Sequence, residues 1–195
     1  MSIFGVIRGR LLDVLVNGRG ADGSLGATAQ SRSIPAGRFR TPADNVSPRD
    51  ANAESPAFDR SVFLEWESVE DADQTSNPVD GPQMRYTTVR VLVGYMGAGA
   101  LTDFLHPINA GEAAATSLEE VRERALSDAE RVKRALADPD LIRGGTVLDP
   151  AVVACTRAGA SSMEYLGGGR FLCSTTYRVL FMEDNAQTYD PVAPP

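Results

Sequence analysis

The sequence is poor in the side chains that carry most enzyme chemistry. Its 195 residues include one histidine, His106, one lysine, Lys133, and two cysteines, Cys155 and Cys173. These residue types supply most general bases, zinc ligands and covalent nucleophiles, and two cysteines are too few for a disulfide framework. The composition therefore favours a binding or structural role, and we expect no catalytic residue, no metal site and no cofactor.

An excess of positive charge and long apolar runs are also lacking. The 19 basic and 26 acidic residues give a net charge of −7, which disfavours a sequence-specific nucleic-acid binder because phosphate binding requires a concentrated basic surface. No run of about 18 apolar residues is present to cross a bilayer. The first 16 residues carry Arg8, Arg10 and Asp13, unlike a signal peptide. We therefore expect a protein that is made in the cytosol and has no membrane partner.

The N-terminal part of the chain divides into a helix and an arm. Apolar residues recur at spacings of three and four over residues 1–16, which predicts an amphipathic helix. From Ala21 to Ala57, twenty of 37 residues are Ala, Gly, Ser or Pro, a composition that buries little apolar surface. We expect residues 17–57 to form an extended arm or loop. Residues 1–57 hold seven Arg and five acids, a charge of +2, so −9 falls on the remainder.

Residues 58–182 have the patterns of a compact α+β core. Alternation from Phe58 and again over 84–95 predicts two strands, which an acidic linker over 70–82 joins. The capping box Ser117-Leu-Glu-Glu predicts a helix that runs to about residue 137. Its expected buried stripe consists of Leu118, Val121, Ala125, Ala129, Val132 and Leu136.

The C-terminal third returns to strand patterns. Alternation predicts a strand over 152–156 and a hairpin of strands 163–166 and 170–182 around the turn Gly167-Gly168-Gly169. The tail, residues 183–195, is polar and ends in Pro-Val-Ala-Pro-Pro. One domain over 1–195 is expected, an α+β fold in which an antiparallel, curved sheet packs against one main helix at about 117–137.

Several residues invite a chemical interpretation that their context does not favour. The glycines of Gly94-Tyr-Met-Gly97-Ala-Gly99 lack the spacing of a dinucleotide-binding loop. His106 is a possible general base without a recognisable nucleophile motif. Cys155 and Cys173 would form a redox pair only if adjacent strands aligned them. The acidic side chains of the first strand and linker lack the spacing of a calcium loop; they are Glu65, Glu67, Glu70, Asp71, Asp73 and Asp80.

The order of elements, with the main helix SLEEVRERALSDAERVKRAL and the closing hairpin EYLGGGRFLCSTTYRVLF, resembles tail terminator and neck proteins of tailed bacteriophages. The likeness covers about residues 1–16 and 58–182, whereas the arm 17–57 is longer than the family pattern. The resemblance implies a structural virion protein, not an enzyme, that forms a ring, usually of six subunits. The ring caps the tail tube, stops its polymerisation and joins the tail to the head.

The same resemblance implies the partners and the location. The expected partners are further copies of the chain, the tail tube protein on one side and a neck or connector protein on the other, with DNA passing through the ring. The location is the tail or neck of the virion, after assembly in the host cytoplasm. Two alternatives stay open: another ring-forming phage protein, such as a tube subunit or head-completion protein, and a small-molecule-binding domain or enzyme that uses His106.

Overall fold

A computed structural model describes residues 3–17, 34, 38–41, 58–71, 82–97, 117–138, 142 and 152–184. Within these ranges two helices and five strands form an α+β fold with a curved, open antiparallel sheet, as the sequence predicts. His106 and most of the expected arm lie outside the described residues. The elements are α1 (Ile3–Leu12, extended by a π-helical turn at Asp13–Asn17), β1 (Val62–Asp71), β2 (Pro82–Met96), α2 (Leu118–Ala137), β3 (Val152–Arg157), β4 (Ser162–Gly167) and β5 (Arg170–Asp184).

The strand β5 is the centre of the sheet. It pairs with β2 over all fifteen residues without a register shift, from Met96 opposite Arg170 to Pro82 opposite Asp184. On its other side β4 pairs with the first part of β5 and β3 with the last part, while β1 pairs with the far side of β2. The sheet therefore has two opposite edges, one formed by β1 and the other by β3 and β4.

One face of the sheet carries the main core. The odd-numbered residues of β2 and β5 point to this face, and α1 and α2 cover it. Phe4 of α1 contacts Trp66 and Phe181 with ring centroids 5.6 and 6.5 Å apart. A second, smaller cluster on the opposite face consists of Phe58, Phe63, Leu92, Met96 and Leu172.

The helix α2 begins where the capping box predicts. Ser117 is the N-cap, and its hydroxyl accepts a hydrogen bond from the backbone N–H of Glu120 at 3.2 Å. The predicted stripe is partly wrong, because Leu118 is 46% exposed and Asp128, which lies outside the stripe, is fully buried. Apolar spacing alone cannot identify a buried carboxylate that buried cations stabilise.

Part of the expected arm lies in the core. Ile34 and Phe39 are 0% and 1% exposed and belong to the main cluster. Arg40 forms a parallel bridge with Ser61, and its backbone N–H donates to Arg60 O at 3.0 Å. Composition averaged over 37 residues hides these two apolar anchors. Ile34 and Phe39, within the expected arm, are therefore core residues.

The first strand starts later than the alternation at Phe58 suggests. Phe58–Arg60 form a tight turn in which Arg60 has a φ of 58°, a left-handed conformation that is uncommon for a residue with a side chain. The backbone N–H of Arg60 donates to Gly94 O at 2.7 Å. The turn is thus attached to β2 and directs the Arg60 side chain into the core.

Candidate functional site

The most strongly charged feature of the interior is a carboxylate between two guanidinium groups. Asp128 of α2 is 0% exposed, and Arg38 and Arg60 are 7% and 4% exposed. Arg38 Nε donates to Asp128 Oδ1 at 2.9 Å, and its Nη2 lies 2.7 Å from the same oxygen. Arg60 Nε lies 3.7 Å from Oδ2, to which the Tyr95 hydroxyl donates at 3.2 Å. We call these four residues the Asp128 cluster.

The Asp128 cluster joins four parts of the chain. Arg38 comes from the arm, Arg60 from the turn before β1, Tyr95 from β2 and Asp128 from α2. Burial, followed by the negative charge of Asp128, raises the pKa of Tyr95 well above its usual range. Both oxygens of Asp128 are engaged and solvent does not reach it. The cluster therefore attaches the arm to the core.

A neighbouring carboxylate belongs to the turn that holds Arg60. Asp59 Oδ1 accepts a hydrogen bond from the backbone N–H of Met96 at 3.0 Å. Burial raises the pKa of Asp59, and the hydrogen bond from Met96 and the nearby arginines oppose that rise. The contact holds the turn against the end of β2, so Asp59 also has a structural explanation.

A groove of about 540 Å³ lies between the start of α2 and the β4–β5 hairpin. The rings of Tyr165 and Phe171 form one wall, with centroids 5.1 Å apart and planes inclined by 40°. Tyr165 is 62% exposed and Leu118 46% exposed, although both are large apolar side chains. Arg122 supplies a positive charge. The groove is lined by Gly97, Ser117, Leu118, Arg122, Met163, Tyr165, Gly169 and Phe171.

Backbone contacts hold the groove in shape. Gly167, Gly168 and Gly169 have φ values of 88°, 60° and 74°, so the predicted hairpin turn is confirmed and is of a kind that glycine favours. The Gly169 carbonyl accepts from the backbone N–H of Gly97 at 2.8 Å. The end of β2 is therefore attached to the hairpin, which keeps Tyr165 and Phe171 opposite the start of α2.

The other face of the sheet is polar over much of its length. Arg90 of β2 forms salt bridges with Glu65, at 3.8 Å, and with Glu67 of β1. Arg178 stacks over the Tyr86 ring, with its guanidinium carbon 4.7 Å from the centroid. Glu65 and Glu67 are thus paired with Arg90 within the sheet. They are the members of the acidic group of β1 and the linker whose side chains the structure describes. Glu70 and Asp71 end β1, and Asp73 and Asp80 lie outside the described residues.

The two cysteines are separate buried thiols. Cys155 is opposite Val179 and Cys173 is opposite both Val93 and Met163, so the strands do not align them. Burial raises the pKa of Cys155 to about 12 and that of Cys173 to about 11. Thiols with such values are poor nucleophiles at neutral pH. Both therefore pack as small core residues.

The glycine-rich segment after β2 also has a packing role where it is described. A Cβ atom on Gly94 would lie 2.5 Å from the Phe58 carbonyl oxygen, so this glycine allows the turn at Phe58–Arg60 to approach β2. Gly97 lies against Phe171 and Val121. Gly99 lies outside the described residues. A close approach of backbone segments explains Gly94 without a phosphate ligand.

The sequence matches no model of a known protein family and no curated protein. Within the described ranges, no three His, Cys, Asp or Glu side chains are grouped to hold a metal ion. Neither described helix is long and apolar enough to span a membrane. Sequence reasoning missed the Asp128 cluster and the groove, because each is assembled from residues distant in the chain. One sequence feature points to the cluster: Asp128 lies one helical turn from both Ala125 and Val132, on the side of α2 that is buried.

Proposed function

We propose that the protein is a structural virion protein of a tailed bacteriophage, a tail terminator whose copies form a ring that caps the tail tube and joins the tail to the neck. The observation that carries the proposal is the pair of opposite sheet edges. Among the described residues, β4 pairs only with β5, and β1 is bonded on its outer side only at its start, where Ser61 bridges Arg40 and the Val62 backbone N–H donates to Arg40 O. Exposed edges of this kind are templates for pairing with another chain.

Two different edges favour a head-to-tail arrangement of copies. When an edge on one side of a subunit binds the other side of the next, the interface repeats, and it closes into a ring if the rotation permits.

The test is the assembly state of the purified protein and its effect on tail tubes. We expect negative-stain electron microscopy to reveal single rings, and we expect these rings to stop the growth of tubes of the tail tube protein. Long cylinders of the protein alone would support the runner-up, a tail tube subunit. A monomer that forms no ring and joins no tube or neck would exclude both.

A matched pair of variants connects the test to the sheet edge. Tyr165 and Leu126 are both 62% exposed, but only Tyr165 lies on β4. Lysine on an edge strand opposes pairing with another strand, so Tyr165→Lys should reduce ring formation while Leu126→Lys leaves it unchanged. Equal assembly of the two variants would contradict a role for the β4 edge.

A further inference from the structure

We infer that the groove beside β4 binds the proline-rich tail segment, Pro191 to Pro195, of a second copy of this chain. The inference rests on the proposed self-assembly for its biological role, but the binding itself is tested separately. It depends on three properties of the groove and tail: an aromatic wall, complementary charge and a separation that excludes binding within one chain.

The groove has the chemistry that proline-rich segments require. Tyr165 and Phe171 form an aromatic wall, and Leu118 and Met163 add apolar surface. Aromatic-lined grooves recognise peptides with the spacing P-x-x-P, because prolines favour the polyproline II conformation and lose little entropy on binding. The tail contains this spacing in Pro191-Val-Ala-Pro194.

The charges beside the groove and the motif are opposite. Arg122 lines the groove and is exposed. Asp190 immediately precedes Pro191. A carboxylate next to the motif would therefore meet a guanidinium group at the groove, which favours one direction of the bound segment.

The length of β5 determines which copy supplies the tail. Phe171 lies in the groove and Asp184 ends the strand, so thirteen residues separate them, or about 43 Å at the usual strand rise. Pro194, the second proline of the motif, follows Asp184 by ten residues, which span at most about 36 Å when fully extended. The unbroken register with β2 means that no bulge shortens the strand. The motif therefore falls short of the aromatic wall of Tyr165 and Phe171 in its own groove, and its partner is another copy.

The binding test uses the full chain and a peptide probe. The protein carries Pro191→Ala and Pro194→Ala, so that its own tails do not compete. The probe is a fluorescein-labelled, terminally capped peptide with the sequence of residues 185–195, and fluorescence anisotropy measures its binding. We expect saturable binding, and binding weaker by at least about tenfold when the peptide carries the same two alanines.

Variants of the groove locate the bound peptide. In the same background, Tyr165→Ala should weaken binding by about tenfold or more, as for a central aromatic contact, while Leu126→Ala should leave it unchanged. Arg122→Glu changes an exposed residue and should weaken binding of the wild-type peptide. A peptide with Asp190→Arg should restore it.

The outcomes separate this inference from the proposed function. Failure of the peptide to bind, or equal binding to the Tyr165→Ala and Leu126→Ala variants, would overturn the inference even if rings form. Peptide binding at the groove by a protein that never forms rings or joins tails would uphold the inference and overturn the proposed function. Mass photometry of the same samples gives the assembly state.

Discussion

Asp128 illustrates how a single charged residue can connect the main parts of a fold. Its carboxylate lies between the guanidinium groups of Arg38 and Arg60 and accepts a hydrogen bond from Tyr95. Moving charges from water into the protein interior costs free energy. The attraction between the opposite charges of such a cluster largely offsets this cost. The cluster adds little net stability over an apolar core, but loss of one member leaves buried charge behind.

We expect Asp128→Ala to lower the free energy of unfolding by about 3–5 kcal/mol, because the carboxylate that faces two buried arginines is removed. Urea denaturation followed by circular dichroism measures the change. Glu123→Ala, at an exposed position of the same helix, is the control and should change stability by no more than about 0.5 kcal/mol. Similar losses in the two variants would show that the cluster is not important for stability.

Two buried tyrosines on the same face of the sheet provide a second comparison. The Tyr95 hydroxyl donates to Asp128, whereas the Tyr177 hydroxyl has no hydrogen-bonding partner in the part of the chain that the structure describes. Tyr95→Phe should destabilise the protein by about 1.5–3 kcal/mol, since it removes a hydrogen bond to a charged group. Tyr177→Phe should leave stability unchanged or raise it. Thermal unfolding of both variants tests this order, and the reverse order would contradict it.

The buried thiol of Cys155 predicts a loss of stability at high pH. Burial raises the pKa of Cys155 from its ordinary value of 9.0 to about 12 in the folded protein, so above about pH 9 the unfolded chain binds fewer protons than the folded one. The contribution of Cys155 to the free energy of unfolding is constant below about pH 9 and falls as the pH rises from about 9 to about 12. Between about pH 8 and pH 10 this fall should be about 1 kcal/mol. When the pH is raised from about 8 to about 10, the urea midpoint of unfolding should therefore fall less in Cys155→Ala than in the wild type. Equal falls in the two proteins would contradict the raised pKa of Cys155.

At the scale of elements, local sequence patterns predict the local features of the fold, such as helix starts, turns and strands. The helix start at Ser117, the glycine turn at 167–169 and the long last strand follow from capping, turn chemistry and alternation, and the structure confirms them. Contacts between distant segments leave no such pattern. The burial of Ile34 and Phe39, the exposure of Leu118 and the groove between α2 and the hairpin depend on tertiary packing, which overrides local propensity.

The close approach of the turn at Phe58–Arg60 to β2 can be tested at Gly94. A methyl group there would lie 2.5 Å from the Phe58 carbonyl oxygen, so Gly94→Ala must displace the turn that directs Arg60 towards Asp128. We expect a destabilisation of about 1–3 kcal/mol, as in other overpacked sites. Gly159→Ala, where nothing lies within 4 Å of the added Cβ, is the control. Chemical denaturation of the two variants measures the difference, and a Gly94→Ala variant as stable as the control would argue against the tight contact.

At the scale of the whole molecule, the position of the sheet edges determines which assemblies are possible. The two-sided sheet of this chain has β1 at one edge and β3 and β4 at the other. A symmetric dimer would use one edge twice, whereas a ring uses both edges of every copy. The proposed ring therefore requires two independent surfaces on each subunit, and each can be blocked without the other.

Mixing of two blocked variants tests this polarity. Tyr165→Lys blocks the β4 side, and Glu67→Pro blocks the β1 side at a residue that the strand register leaves without a partner in β2, since proline opposes pairing at an edge. Both variants carry Pro191→Ala and Pro194→Ala, which remove the inferred tail contact between copies. Each variant alone should then be monomeric, with thermal unfolding as the check that it is folded. Their mixture should form dimers and nothing larger, because each pair retains one intact β1 side and one intact β4 side. Size-exclusion chromatography with multi-angle light scattering distinguishes these species. Rings in either variant alone, or a mixture that remains monomeric while both variants are folded, would contradict head-to-tail assembly through the sheet edges.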